Sequence, residues 1–176
     1  MKLHKIILGM IVIVNTMMAG EFISYHQMAD KFLQENIKNG MRATTDEVKE
    51  ALKTKKALVV DVRTAEEWAG AHIKGSVRVG RQTPELAIAN FVLDDDDKLI
   101  YDNLIVVCNT GHRASLEAEI FRKMGFKQVK VYALDEWIDE CNPIATKYST
   151  QRYKEGRNKK FGLFYSEACY NKKTKK

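Results

Sequence analysis

The residues in this chain best suited to covalent chemistry are six in a row, CNTGHR at positions 108–113. They follow the apolar run LIVV (104–107) and precede a helical pattern over 114–124. A strand would therefore deliver the thiol of Cys108 into a small loop whose N–H groups converge as the next helix begins. Unpaired N–H groups and the positive end of a helix dipole favour an anion at such a place, so a thiolate, a persulfide or an oxyanion would be held there. With His112 and Arg113 close by, the setting is that of an activated cysteine.

The elements that must position this thiol follow from the apolar pattern. The run ALVVDV (57–62) is β-branched and does not alternate cleanly, as expected of a strand buried on both faces of a parallel sheet. Residues 104–107 and 129–132 supply two more strands, and 76–79 a weaker one. Helices are predicted between them. One ends near Lys53 after an N-cap signal at Thr44, Thr45, Asp46 and Glu47; a short one covers 66–69; one opens at Thr83 and Pro84 and carries Leu86, Ile88, Ala89 and Phe91. The helix at 114–124 is ended by Gly125. Upstream, Phe22, Tyr25, Met28, Ala29, Phe32, Leu33 and Ile37 recur at helical intervals up to Gly40, which predicts an extra N-terminal helix over 22–39. Strand and helix alternate, so the expected class is α/β with a parallel sheet and right-handed crossovers. Ligands in such sheets bind beyond the carboxyl ends of strands, where Cys108 falls.

A length of 176 residues suits one domain with a real core. The chain opens with Lys2 and Lys5, a mostly apolar run over 6–18, and small residues before Glu21. This reads as a secretory signal peptide cleaved near Ala19 or Gly20. The run is shorter than the ~20 residues a spanning helix needs, and Asn15 and Thr16 interrupt it. Export places Cys108, Cys141 and Cys169 in an oxidising compartment, and an odd count leaves one free. Two arrangements stay open: Cys141 pairs with Cys169, which staples the C-terminal tail and leaves Cys108 available, or both remain thiols. The formal charge is +6, and residues 148–176 hold nine Lys or Arg against Glu155 and Glu167. That tail reads as a solvated end. As a contact surface it suits a weak membrane-surface interaction, not nucleic acid. The DDDDK run at 94–98 lacks the spacing and glycine of a calcium loop and is expected to be a solvated, protease-sensitive tip. His4, His26, His72 and His112 show no metal-ligand spacing, so neither a metal nor a cofactor is expected.

Three stretches together resemble a rhodanese domain, the sulfurtransferase family: DVRTAEEWAGAHIKGS (61–76), CNTGHRA at the loop, and MGFKQVKVYALDEW behind it, spanning roughly 44–143. The resemblance implies a three-layer α/β/α domain with a central five-stranded parallel sheet and a cysteine that carries sulfane sulfur as a persulfide. It makes Cys108 the nucleophile and the loop from Asn109 through Thr110, Gly111 and His112 to Arg113 the cradle for the persulfide and the donor's oxyanion. Arg113 and His112 add positive potential. Asp61 and Arg63 match the family's DVR element and are expected to brace the site; His72 matches its GHI histidine and is expected to be structural. The family's Gly-Gly pair after the last strand is replaced here by 133–136, ALDE, leading straight into Trp137, which shortens one rim of the pocket. The expected organisation is a signal peptide at 1–20, a helical extension at 21–43, a rhodanese-like domain at 44–147 and a basic tail at 148–176, in an exported, periplasmic protein.

The implied reaction moves sulfur from thiosulfate or a persulfide onto Cys108 and then to a thiol or cyanide acceptor, a protein thiol included. Two other classes share the architecture. Dual-specificity phosphatases and arsenate reductases place five residues between Cys and Arg, whereas four stand here, a ring sized for one sulfur and too narrow for phosphate. A binding module without turnover is the other, and the presence of Cys108, Gly111 and Arg113 argues against it.

Overall fold

The computed structural model describes residues 22–150 and 160–169; the expected signal segment and most of the basic tail lie outside them. In chain order the elements are α1 (Tyr25–Lys38), α2 (Thr45–Thr54), β1 (Leu58–Asp61), α3 (Ala65–Gly70), β2 (His72–Ile73), β3 (Val77–Arg78), α4 (Pro84–Ala87), α5 (Ala89–Val92), β4 (Asn103–Cys108), α6 (His112–Lys123), β5 (Gln128–Ala133), α7 (Leu134–Asp139), β6 (Ile144–Thr146) and β7 (Gly162–Phe164).

Four strands form a parallel sheet in the order β3-β1-β4-β5. The expected fifth strand is reduced to one residue. Arg42 makes an isolated parallel bridge to Val131 at the β5 edge, where Val131 N–H donates to Met41 O at 2.8 Å and Ala43 N–H donates to Val131 O at 2.9 Å. Helix α1 closes at Asn39, Gly40 turns the chain with φ of 66°, and Thr44 already caps α2, so too little chain remains between the helices for a strand. Because successive side chains of a strand point to opposite faces, the sheet feeds two apolar clusters. Val60, Val106, Cys108 and Val131 pack with Leu33 of α1, Ile88, Val92, and Ala114, Ala118 and Phe121 of α6. Val59, Ile105, Val107 and Tyr132 pack with Val48 and Ala51 of α2 and with Leu134 and Trp137 of α7. At roughly 1.5–3 kcal/mol for each fully buried large apolar side chain, these two faces supply most of the drive to fold.

Helix α1 is part of this body. A reciprocal Ser24–Gln27 capping box starts it, and it buries Ala29, Leu33 and Asn36 against α6. Asn36 Oδ1 accepts from Arg122, whose guanidinium also donates to Val129 O at 2.7 Å.

The tail departs from the solvated end expected of it. Strand β7 pairs antiparallel with β6, and β6 with β2, in a second three-stranded sheet. Cys141 and Cys169 are joined by a disulfide, which ties the segment after β7 to the loop after α7, while Cys108 is free. Lys160 to Cys169 is therefore built into the fold, and a boundary at residue 147 cuts through a paired sheet. His72 sits in β2 with Nδ1 2.8 Å from Trp68 O, its ring stacked on Trp68 and met edge-on by Phe161. Burial lowers its pKa, consistent with a neutral packing histidine.

Candidate active site

Strand β4 ends at Cys108 and α6 begins at His112, so the chain must reverse within three residues. Gly111 makes this turn as the N-cap of α6 with φ of 94°, in the left-handed region that glycine enters without strain. A Cβ there would stand 3.2 Å from Leu33 Cδ1 of α1, so an added side chain would also press on the end of that leucine. The turn aims two amides at the thiol: Gly111 N–H and Ala114 N–H lie 3.1 and 3.4 Å from Cys108 Sγ. Cys108 itself is only 1 % exposed. A buried sulfur met by N–H groups at a helix start is a site for negative charge.

Arg63 braces the loop from β1. It forms an ion pair with Asp61 that is almost wholly buried, with Nε 3.0 Å from both Asp61 oxygens and Nη2 2.7 Å from Oδ2. Its remaining donors reach Asn109 Oδ1 at 2.9 Å and Ala71 O at 2.5 Å. The planar fork of the guanidinium thus connects the DVR element to the cysteine loop in a geometry that lysine does not offer. From the other side, Asp135 N–H donates to Asn109 O at 3.1 Å. Helix α7 starts directly after β5, which places Asp135 at its first turn.

Arg113 faces a carboxylate. Its Nη1 and Nη2 donate to Glu67 Oε2 and Oε1 at 2.8 and 2.6 Å, a bidentate pair. Glu67 Oε1 also accepts from Asn109 Nδ2 at 3.2 Å, and Oε2 accepts from Thr64 N–H at 3.0 Å. The Arg113 guanidinium holds the Glu67 carboxyl down at about 2, and Glu67 in turn raises Arg113 above its ordinary value. Thr110 and His112 stand nearer α1: Thr110 Oγ1 lies 2.8 Å from His112 Nδ1, and His112 Nε2 is 3.8 Å from Asp30 Oδ1. One turn beyond Arg113, Glu117 Oε2 is buried with no hydrogen-bond partner among the described residues. Burial, with the charge of Glu85 second, pushes that carboxyl up to about 7.

The structure thus brings Cys108, Asn109, Gly111, Arg113, Asp61 and Arg63 into one connected network. Of the loop amides expected to cradle the sulfur, Gly111 reaches Sγ. Ala114, beyond the expected cradle, supplies the second. Glu67 is the main residue that sequence reasoning left out. In the sequence it is one of two adjacent glutamates, Glu66 and Glu67, yet Thr64-x-x-Glu67 is a capping-box spacing, and α3 carries both halves of that box.

The model of the Rhodanese-like domain matches residues 44–140. The putative sulfur carrier protein YrkF of Bacillus subtilis (strain 168) is 32% identical over 71 residues, covering 40% of this chain and 35% of that protein. This chain therefore spans about a third of that relative's length. Among solved structures, the human single-domain sulfurtransferase TSTD1 is similar at 22% identity and a TM-score of 0.46, covering 57% of this chain and 96% of that one. The polysulfide-sulfur transferase homodimer from Wolinella succinogenes is similar at 19% identity and a TM-score of 0.49, covering 73% and 97%. A family match over more than half of the sequence, one that takes in the cysteine loop, makes this chain a member of the rhodanese-like domain family.

Proposed function

We propose that this chain is a sulfurtransferase or sulfane-sulfur carrier in which Cys108 accepts sulfur from thiosulfate or a persulfide and passes it to a thiol, a protein thiol or cyanide. The observation that carries the reading is the pair of amides, Gly111 and Ala114, aimed at Cys108 Sγ where α6 begins. The Cys108 thiolate attacks the outer sulfur of thiosulfate; the donor S–S bond breaks, sulfite leaves with the electron pair, and a new S–S bond forms on Cys108. The two amides then hold negative charge on the persulfide, an electrostatic effect of the oxyanion-hole kind. In the second step the acceptor attacks the outer sulfur and Cys108 leaves as thiolate. Asp61 and Arg63 support the loop through Asn109, and Glu67 fixes Arg113 at its end. The protein is proposed to act outside the cytoplasm, in the periplasm, on the strength of residues 1–20.

Intact-mass analysis after exposure to thiosulfate tests this directly. One added sulfur on the wild type, removed by cyanide and absent from Cys108→Ala, is the expected result. The near-complete burial of Cys108 favours a second reading, a rhodanese-like binding module without turnover. No mass gain from thiosulfate or from any organic persulfide would select it.

A further inference from the structure

Two arginines near the cysteine loop have no role in the scheme above. Arg78, at the end of β3, and Arg81, just beyond it, are exposed, and neither guanidinium has a hydrogen-bond or ion-pair partner among the described residues. Both line a cleft of about 480 Å³ at the carboxyl ends of β1 and β3, whose opposite wall is formed by Thr64 and Glu66 at the start of α3. Arg81 also lines a smaller cavity of about 100 Å³, which it shares with Val62, Arg113 and Glu117. Val62 N–H donates to Val107 O at 3.1 Å, and Arg113 ends the cysteine loop, so the small cavity abuts the site and Arg81 joins it to the cleft.

The cleft is sized for a small organic ligand and far exceeds what thiosulfate occupies. Its charged lining is two guanidiniums and one carboxylate, Glu66. A peptide thiol with two carboxylates and one ammonium presents the complementary set.

Building on the sulfur-transfer reading, we propose that Arg78 and Arg81 form an anion subsite that holds the carboxylate-bearing body of an amino-acid or peptide persulfide while its sulfur is presented at the cysteine loop. The reaction is Cys108–S⁻ attacking the outer sulfur of R–S–SH. The donor S–S bond breaks, R–S⁻ leaves with the electron pair, and Cys108–S–SH forms. One S–S bond replaces another, the proton stays on the transferred sulfur, and no external oxidant or reductant enters. The carboxylates take no part in the bonds that change, so the subsite acts on binding.

The test compares wild type with the Arg78→Ala/Arg81→Ala variant on three donors: glutathione persulfide, the persulfide of glutathione diethyl ester, and thiosulfate. In the variant the KM for glutathione persulfide is expected to rise about tenfold or more with kcat unchanged within about twofold, as for lost uniform binding. The KM for the ester is expected to be high in both proteins, and the KM for thiosulfate to move by less than about twofold. Arg81→Lys on the Arg78→Ala background should recover part of the loss. Equal rises for thiosulfate and glutathione persulfide would reduce the arginines to a general attraction for anions and overturn the subsite; so would equal KM values for acid and ester in the wild type. Calorimetric titration with glutathione itself reads the subsite without turnover, and equal affinity in the two proteins refutes it. If wild-type Cys108 gains no sulfur from any donor, the sulfur-transfer reading fails, and the glutathione titration still decides the subsite.

Discussion

Replacing Arg63 by Met keeps the length and apolar stem of the side chain and removes its charge. In the wild type the Asp61 and Arg63 side chains are 1% and 3% exposed, so neither ion reaches solvent. The substitution leaves Asp61 with a backbone bond from Arg63 N–H at 2.9 Å, and leaves Asn109 Oδ1 and Ala71 O without their donor. Removing one partner of a buried pair strands the other charge and costs about 3–5 kcal/mol. That is a large part of the ~5–15 kcal/mol by which a domain is stable, and corresponds to a fall in Tm of about 10 °C. Asp61→Asn should cost a similar amount by stranding the guanidinium. The double variant holds no buried charge and should be less destabilised than the sum of the singles by about 2 kcal/mol or more. Urea denaturation of the four proteins, followed by tryptophan fluorescence with equal m-values, measures the coupling. A loss below about 1 kcal/mol for Arg63→Met, or simple additivity in the double variant, would refute the claim that this pair is what holds the loop.

Two further outcomes are expected. The Cys141–Cys169 bridge closes a loop over a separation of 28 residues, so Cys141→Ser/Cys169→Ser should lose roughly 3 kcal/mol in chemical denaturation and expose residues 160–169 to limited proteolysis; unchanged stability and cleavage would show that the second sheet holds without it. Glu117 carries a carboxyl whose folded pKa, about 7, lies above its ordinary 4.5, so the folded state binds more protons between these values and stability falls as pH rises through that window. Glu117→Gln removes this dependence. The variant should match the wild type near pH 5 and exceed it by about 1 kcal/mol at pH 8, allowing for partial exposure, and parallel stability curves would disprove the assignment.

The strands around the site were legible because burial on both faces writes itself as an unbroken apolar run, as in 57–62 and 104–107. The helices at 22–39 and 114–124 were legible from spacing and their closing glycines. The second sheet was not. Its strands are two or three residues long, β7 lies in a basic stretch, and such pairs exist only because distant segments meet. The five-stranded parallel sheet was implied by the resemblance and not by the apolar pattern, and the described residues form four parallel strands with a single bridge at Arg42.

Sequence alone determined the type and place of the residue proposed as nucleophile: a thiol, Cys108, at the end of an apolar strand, with four residues between it and Arg113. Local chemistry was enough for that, because strand, glycine turn and helix start are contiguous in the chain. Only tertiary structure decided which groups surround the thiol. Glu67 on α3 takes Arg113, Arg63 just beyond β1 takes Asn109, and Leu33 of α1 closes over Gly111. Each of these contacts joins residues some 46 or more positions apart or lying on a helix outside the family match, and side chains that far apart are paired by packing, not by spacing.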